Sequence, residues 1–224
     1  MPSPAASHDS RQRLLESAIV QFAAKGFDGA GIREIARGAQ ANPALVAYHF
    51  SGKEGLYQEA LRAIFSRKRS PLADLQPPPV PGGPGARPRA LEGLQAYIRS
   101  FVLELMACDA CHPVDEAAMV LMAREMQSPR PASAALLLEL VNPYVTHLNA
   151  CLTVLRPDLD EEGLLFMGAS IQGQLLHFRN SLGLARLIRG NPAYPEDLEA
   201  LVQHFIAFSL RGLGVPEAFP PART

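Results

Sequence analysis

Cysteine is scarce in this 224-residue chain. There are three, an odd number that argues against a disulfide framework. No run of about eighteen apolar residues occurs, so no transmembrane helix is expected. The opening stretch MPSPAASHDSRQR lacks the apolar segment of a secretory signal. These absences predict a soluble cytoplasmic protein with no membrane partner. There is no β-hairpin pattern and no internal repeat. Nor is there a Ser/His/Asp arrangement, a glycine-rich phosphate loop or a paired-carboxylate site. An enzyme is therefore not expected, and neither catalytic residues nor cofactors are assigned. Net charge is nearly absent, at −1. What remains is an ordinary globular composition, 48% hydrophobic, long enough for a small domain joined to a larger one.

The most informative stretch covers residues 31 to 50, GIREIARGAQANPALVAYHF. Ile32, Ile35, Ala36 and Ala39 fall three and four apart and form one apolar helical face. Asn42 then supplies an N-cap and Pro43 a first helical residue, where a missing N–H costs nothing. A second short helix runs through Leu45 and Val46 to Tyr48 and is closed by Phe50. Two helices this short need support from outside themselves. A third helix between Ser10 and Lys25 offers it, with Leu14, Leu15, Ala18, Ile19 and Phe22 in one stripe and Gly26 as the stop. The pattern is that of a three-helix DNA-binding headpiece.

Charge is distributed unevenly. From His8 to Ser70 there are ten Lys/Arg and six Asp/Glu, whereas the rest of the chain is net acidic. A basic head on an acidic body suits a protein that touches phosphate at one end. Leu56, Tyr57, Ala60, Leu61 and Ile64 predict a fourth helix from about 53 to 69. PLADLQPPPVPGGPGARP follows, too rich in proline and glycine for either regular element, and reads as a linker. Helical periods resume at about 90–108, 115–127, 133–155, 160–181 and 195–213. The expected class is all-α, divided into a head over 8–66, a linker over 67–89 and a helical body over 90–215. The last two helices carry more apolar residues than one buried stripe uses, among them Phe166, Leu176, Leu198 and Phe205. That surplus predicts a homodimer paired through a four-helix interface.

At these residues the sequence resembles the TetR family of transcriptional repressors. The likeness rests on LLESAIVQFAAKGFDGAGIREIA, NPALVAYHF and SGKEGLY across roughly residues 10–65. The body, through MAREMQSPRPASAALLLELVNPYVTHLNACL and GQLLHFRNSLGLARLIRG, is similar to the ligand-binding domain of the CecR-like subgroup. The resemblance implies a homodimeric repressor on a pseudo-palindromic double-stranded DNA operator, released by a small-molecule effector. It also marks two departures: Gln40 stands where the family's turn usually has glycine, and Ala47 where it usually has tyrosine. A left-handed glutamine would cost on the order of 1 kcal/mol.

For DNA contacts the resemblance selects Arg33 as base reader, since arginine can donate twice to a guanine edge. Pro43, Ala44 and Ala47 would lie at the groove and offer apolar contact to thymine methyls. Asn42 is expected to cap rather than read. Tyr48, His49 and Lys53 are expected on the phosphate backbone, with Arg11 and Arg13 adding contacts from a flexible arm.

For the effector, Met119 and Met122 are candidates for an adaptable apolar wall, alongside Met106, Met126 and Met167. His147, Gln172 and His177 (and Arg179) are polar groups on otherwise apolar helices. Cys108 and Cys111, followed by His112, have the C-x-x-C-H spacing, which suits a redox pair or half a metal site. They support an alternative repressor that senses oxidant or metal, although no metal site is assigned.

Overall fold

The computed structural model describes residues 4–67, 79–107 and 113–215. Among them are nine helices and no strand. They are α1 (Pro4–Gly29), α2 (Ile32–Gly38), α3 (Ala44–Phe50), α4 (Lys53–Arg67), α5 (Ala86–Ala107), α6 (Pro113–Gln127), α7 (Ala134–Leu155), α8 (Glu161–Arg189) and α9 (Leu198–Gly212). The all-α class follows directly. No helix among the described residues is long and apolar enough to cross a membrane.

Two elements exceed their predicted lengths. α8 continues past residue 181 because Leu182, Leu184, Leu187 and Ile188 prolong its period up to Gly190, its left-handed C-cap. α1 begins at Pro4, six residues before the expected start at Ser10. Its expected stop is real, since Gly26 has φ 71 and ψ 177, outside the helical region. The guanidinium of Arg124 donates to the Phe22 carbonyl at 3.2 Å, placing a cation near this C-terminal end.

The chain divides into two compact units, which depart from the compositional boundaries. The first comprises Met1–Arg69 and Cys108–Leu140. Its core is built on the α1 stripe: Leu14, Ala18, Ile19 and Phe22 are fully buried. Ile35 and Ala36 of α2, Val46 of α3 and Leu56 of α4 close over it. So do Val114, Ala118 and Leu121 of α6 and Leu136 of α7. The α1 helix therefore buries two faces, one under the short helices and one under α6. α3 and α4 approach so tightly that a Cβ on Gly55 would strike the Phe50 carbonyl.

The second unit comprises Ser70–Ala107 and Val141–Thr224, with α5, the rest of α7, α8 and α9. Leu94, Ile98, Leu152, Leu175, Val202 and Leu210 are among its buried side chains. Asp160 and Asp197 cap α8 and α9, accepting from Gly163 N at 2.8 Å and Ala200 N at 2.9 Å. Arg99 of α5 grips Glu199 of α9 with two bonds of 2.6 Å and holds that carboxyl down to about 2.

Candidate nucleic-acid interface

The turn between α2 and α3 sets the site. Gln40 is left-handed, with φ 50. Its N–H donates to Arg37 O at 3.1 Å and that of Ala41 to Ala36 O at 2.9 Å, the pair of bonds of a Schellman motif. The glutamine thus occupies a position suited to glycine, as the family resemblance implies. Asn42 Oδ1 accepts from Ala44 N at 2.9 Å, the expected cap. The helix is assigned from Ala44 with Pro43 just before it, a one-residue matter of bounds.

α3 buries Val46 and Phe50 and turns Pro43, Ala44, Ala47 and Tyr48 outward, with Tyr48 76% exposed. α2 buries Ile35 and Ala36 and presents Arg33 and Arg37. These arginines are four apart and share one helical face. Neither has a hydrogen-bond or ion-pair partner among the described residues. The nearby acid is already engaged: Lys25 Nζ lies 2.9 Å from both oxygens of Glu34. The lysine, then the Gly31 backbone and Arg37, hold that carboxyl below its ordinary range. The exposed surface of α2 is thereby left positive. Arg37 was missed from the sequence, although its spacing from Arg33 was the available signal.

His49 is half-buried, its Nε2 3.4 Å from Ser10 Oγ of α1 and its ring edge-on to Tyr48. Lys53 opens α4. Its ammonium donates to Asp28 O at 3.3 Å and sits 4.7 Å from the centroid of the Phe27 ring. Arg11 and Arg13 are helical residues of α1 rather than members of a loose arm. Arg11 pairs with Glu59 at 2.6 Å and lies over Phe50, while Arg13 pairs with Asp9 and donates to Ala39 O at 3.1 Å. Helix formation from Pro4 is the reason they are not free to swing.

The effector candidates divide between the units. Met119 and Met122 are on α6 in the first, where Met122 packs against its core. His147 and Gln172 are in the second and converge on buried Tyr97. Gln172 Nε2 donates to Tyr97 Oη at 2.7 Å, and the His147 ring lies parallel to the tyrosine with centroids 6.2 Å apart. Burial lowers the pKa of His147 against a raising contact from the Gly93 backbone. Cys151 Sγ is 3.8 Å from His147 Nε2, and burial pushes the thiol up to about 11. His177 is exposed on α8. Cys108, Cys111 and His112 lie outside the described residues. Among those described, no cluster of three or more His, Cys, Asp or Glu could hold a metal ion.

Known proteins share this organisation. The family of bacterial regulatory proteins of the tetR type matches residues 14–60, the stretch from α1 through α4 that frames the exposed face. The C-terminal domain of the HTH-type transcriptional dual regulator CecR matches residues 90–213. A probable HTH-type transcriptional regulator of Bacillus subtilis, YttP, is 38% identical over 56 residues, 25% of this chain and 27% of that protein. The negative regulator of the biofilm operon icaADBC in Staphylococcus aureus, IcaR, is 29% identical over 55 residues, 25% of this chain and 30% of that one. The matched stretch thus spans less than a third of either relative. A crystal structure of a TetR-like transcriptional regulator from Rhodococcus sp. RHA1 superposes with a TM-score of 0.62 at 16% identity, covering 96% of this chain and 98% of that one. At that identity the likeness is one of fold. The exposed two-helix face and the two family matches lead to one conclusion: the chain belongs to the TetR family of transcriptional regulators and carries a C-terminal domain of the CecR type.

Proposed function

We propose that the chain acts as a homodimeric repressor, binding a pseudo-palindromic operator and releasing it when a small-molecule effector enters the second unit. The observation that carries this reading is the outward face of α2 and α3. Arg33 and Arg37 make no side-chain hydrogen bond or salt bridge among the described residues, and lie beside the small residues Pro43, Ala44 and Ala47 and the exposed Tyr48. Arg33 reads a base, the small residues meet thymine methyls, and Tyr48, His49 and Lys53 hold phosphates. Few side chains there can donate to base edges, so part of the specificity comes from DNA shape. The Staphylococcus relative is named a negative regulator, which favours repression.

Dimerisation is supported by α8. Leu165, Phe166, Leu176, Leu184, Leu187 and Ile188 are exposed on the side opposite buried Ile171, Leu175 and Leu182. A second copy covering this stripe would set two recognition helices about 34–36 Å apart, one turn of DNA. The effector site is proposed at Tyr97, His147 and Gln172, polar groups set among apolar helices. An effector that favours a head spacing unsuited to the operator lowers DNA affinity by its differential affinity for the two states.

Selection of the purified full chain on randomised duplex DNA tests the reading. A two-fold symmetric consensus is expected. A pool that stays unenriched, from folded and dimeric protein, overturns it.

A further inference from the structure

The first unit contains a side-chain assembly that the DNA-facing surface does not itself explain. Phe22, Phe27 and Tyr57 form a ring cluster, with Phe27 stacked on Phe22 at 6.0 Å and edge-on to Tyr57 at 5.3 Å. Two cations address the same Phe27 ring. Lys53 Nζ is 4.7 Å from its centroid and the Arg130 guanidinium carbon 3.5 Å. Arg130 lies just beyond α6, more than seventy positions downstream of Lys53. Its two terminal nitrogens also hold both oxygens of Glu54, at 3.2 and 3.1 Å. Its backbone N–H donates to buried Glu125 at 3.0 Å, and the other oxygen of that carboxylate accepts from Tyr57 Oη at 2.6 Å.

Two like charges on one ring would ordinarily repel. Here the Glu54 carboxylate neutralises Arg130, so that Lys53 can share the ring. Glu54 is also the immediate neighbour of Lys53 in the first turn of α4. Left unpaired, it would draw the ammonium inward and oppose any phosphate brought to that turn. Arg130 removes both effects, because a planar fork spans two carboxylate oxygens while lying flat on an aromatic face, which an ammonium cannot do. Lys53 gives one donor to Asp28 O and keeps two for a phosphate.

We infer that Arg130 is a positioning residue for DNA binding, holding Glu54 and Phe27 so that the Lys53 ammonium is presented to a phosphate. This rests on the reading of Lys53 as a phosphate contact. It makes the segment after α6 part of the DNA reader without placing it on the DNA.

The test measures binding of the full chain to an end-labelled, mixed-sequence duplex over a range of salt concentrations. The variants are Lys53→Met, Arg130→Met and the double substitution, each checked for helicity and cooperative melting. Lys53→Met is expected to lower the slope of log K against log salt by about one per protomer, hence about two for the bound dimer. Arg130→Met is expected to lower it by a similar amount, and the double variant no further. A double variant that loses about two per protomer would mean two independent phosphate contacts and overturn the inference. So would a slope unchanged in Arg130→Met while Lys53→Met lowers it, in which case Lys53 keeps its role. A slope unchanged in Lys53→Met overturns the phosphate reading and the inference with it. If Arg130→Met does not fold, Phe27→Leu removes the shared ring and leaves both cations. A slope reduced to that of Lys53→Met supports the inference, and a wild-type slope overturns it.

Discussion

The Tyr57 hydroxyl donates to the Glu125 carboxylate at 2.6 Å, joining α4 of the head to an α6 residue only 1% exposed. A buried carboxylate oxygen left without its donor bears a desolvation penalty, so Tyr57→Phe is expected to destabilise the chain by about 1–3 kcal/mol in urea denaturation. The same relationship governs truncation. A fragment ending at residue 69 lacks Val114, Ala118, Leu121 and Leu136, all of which belong to the head's core. Burial of an aliphatic side chain of leucine size contributes about 1.5–3 kcal/mol. The fragment is expected to lack a cooperative melt by circular dichroism, and a sharp two-state melt would contradict this account of the core.

Alkali acts on two tyrosines. Burial, then the bond to Glu125, raises the pKa of Tyr57, while burial pushes Tyr97 up to about 12 against the lowering contact of Gln172. The unfolded chain releases these protons near pH 10, whereas the folded chain keeps them. Their contribution is therefore fully present below about pH 10 and is lost as pH rises towards the folded values. Melting temperature should fall steeply above about pH 10, and less steeply in Tyr97→Phe. An identical fall in that variant would remove Tyr97 from the explanation.

Gln40 holds a left-handed conformation that favours glycine. Gln40→Gly is expected to raise stability by on the order of 1 kcal/mol, because relief of the strain outweighs the added chain entropy. Chemical denaturation checks the sign, and a variant less stable than the parent would show that the turn carries no such strain.

Arg33 is proposed to read a base edge rather than to hold a phosphate. Arg33→Ala should cost about 1–3 kcal/mol of operator affinity and relax preference at one base position in each half-site. Repeating the duplex selection with the variant distinguishes the roles. Uniformly weaker binding with an unchanged consensus would make Arg33 a phosphate contact instead.

Leu187 is 77% exposed and central to the apolar side of α8. Leu187→Glu would place a carboxylate in the proposed dimer interface, where burial of an unpaired charge is costly. Light scattering should report a monomer that keeps its helical content, with operator affinity strongly reduced. A variant still dimeric at micromolar concentration would move the interface elsewhere.

Local chemistry made much of this molecule legible from its residues. Periods of three and four drew the helices. Gly26 marked the break in α1 and Asn42 the cap before α3, because each depends only on residues within a few positions. The left-handed turn at Gln40 and the choice of Arg33 came from the resemblance to the TetR family, and that of Lys53 from its place at the start of a helix. Tertiary structure decided the partners. The α1 stripe looked sufficient for a closed head, yet α6 and the start of α7 complete its core, and no period in α1 could announce a face supplied a hundred residues later. The Tyr57–Glu125 bond and the Arg130 clamp on Glu54 and Phe27 arise from the same packing. The excess of apolar residues on α8 was visible in order, but only folding sorted Ile171 and Leu175 inward and Leu184, Leu187 and Ile188 outward. A helix's own sequence lists its faces, and the neighbours that cover them come from elsewhere in the chain.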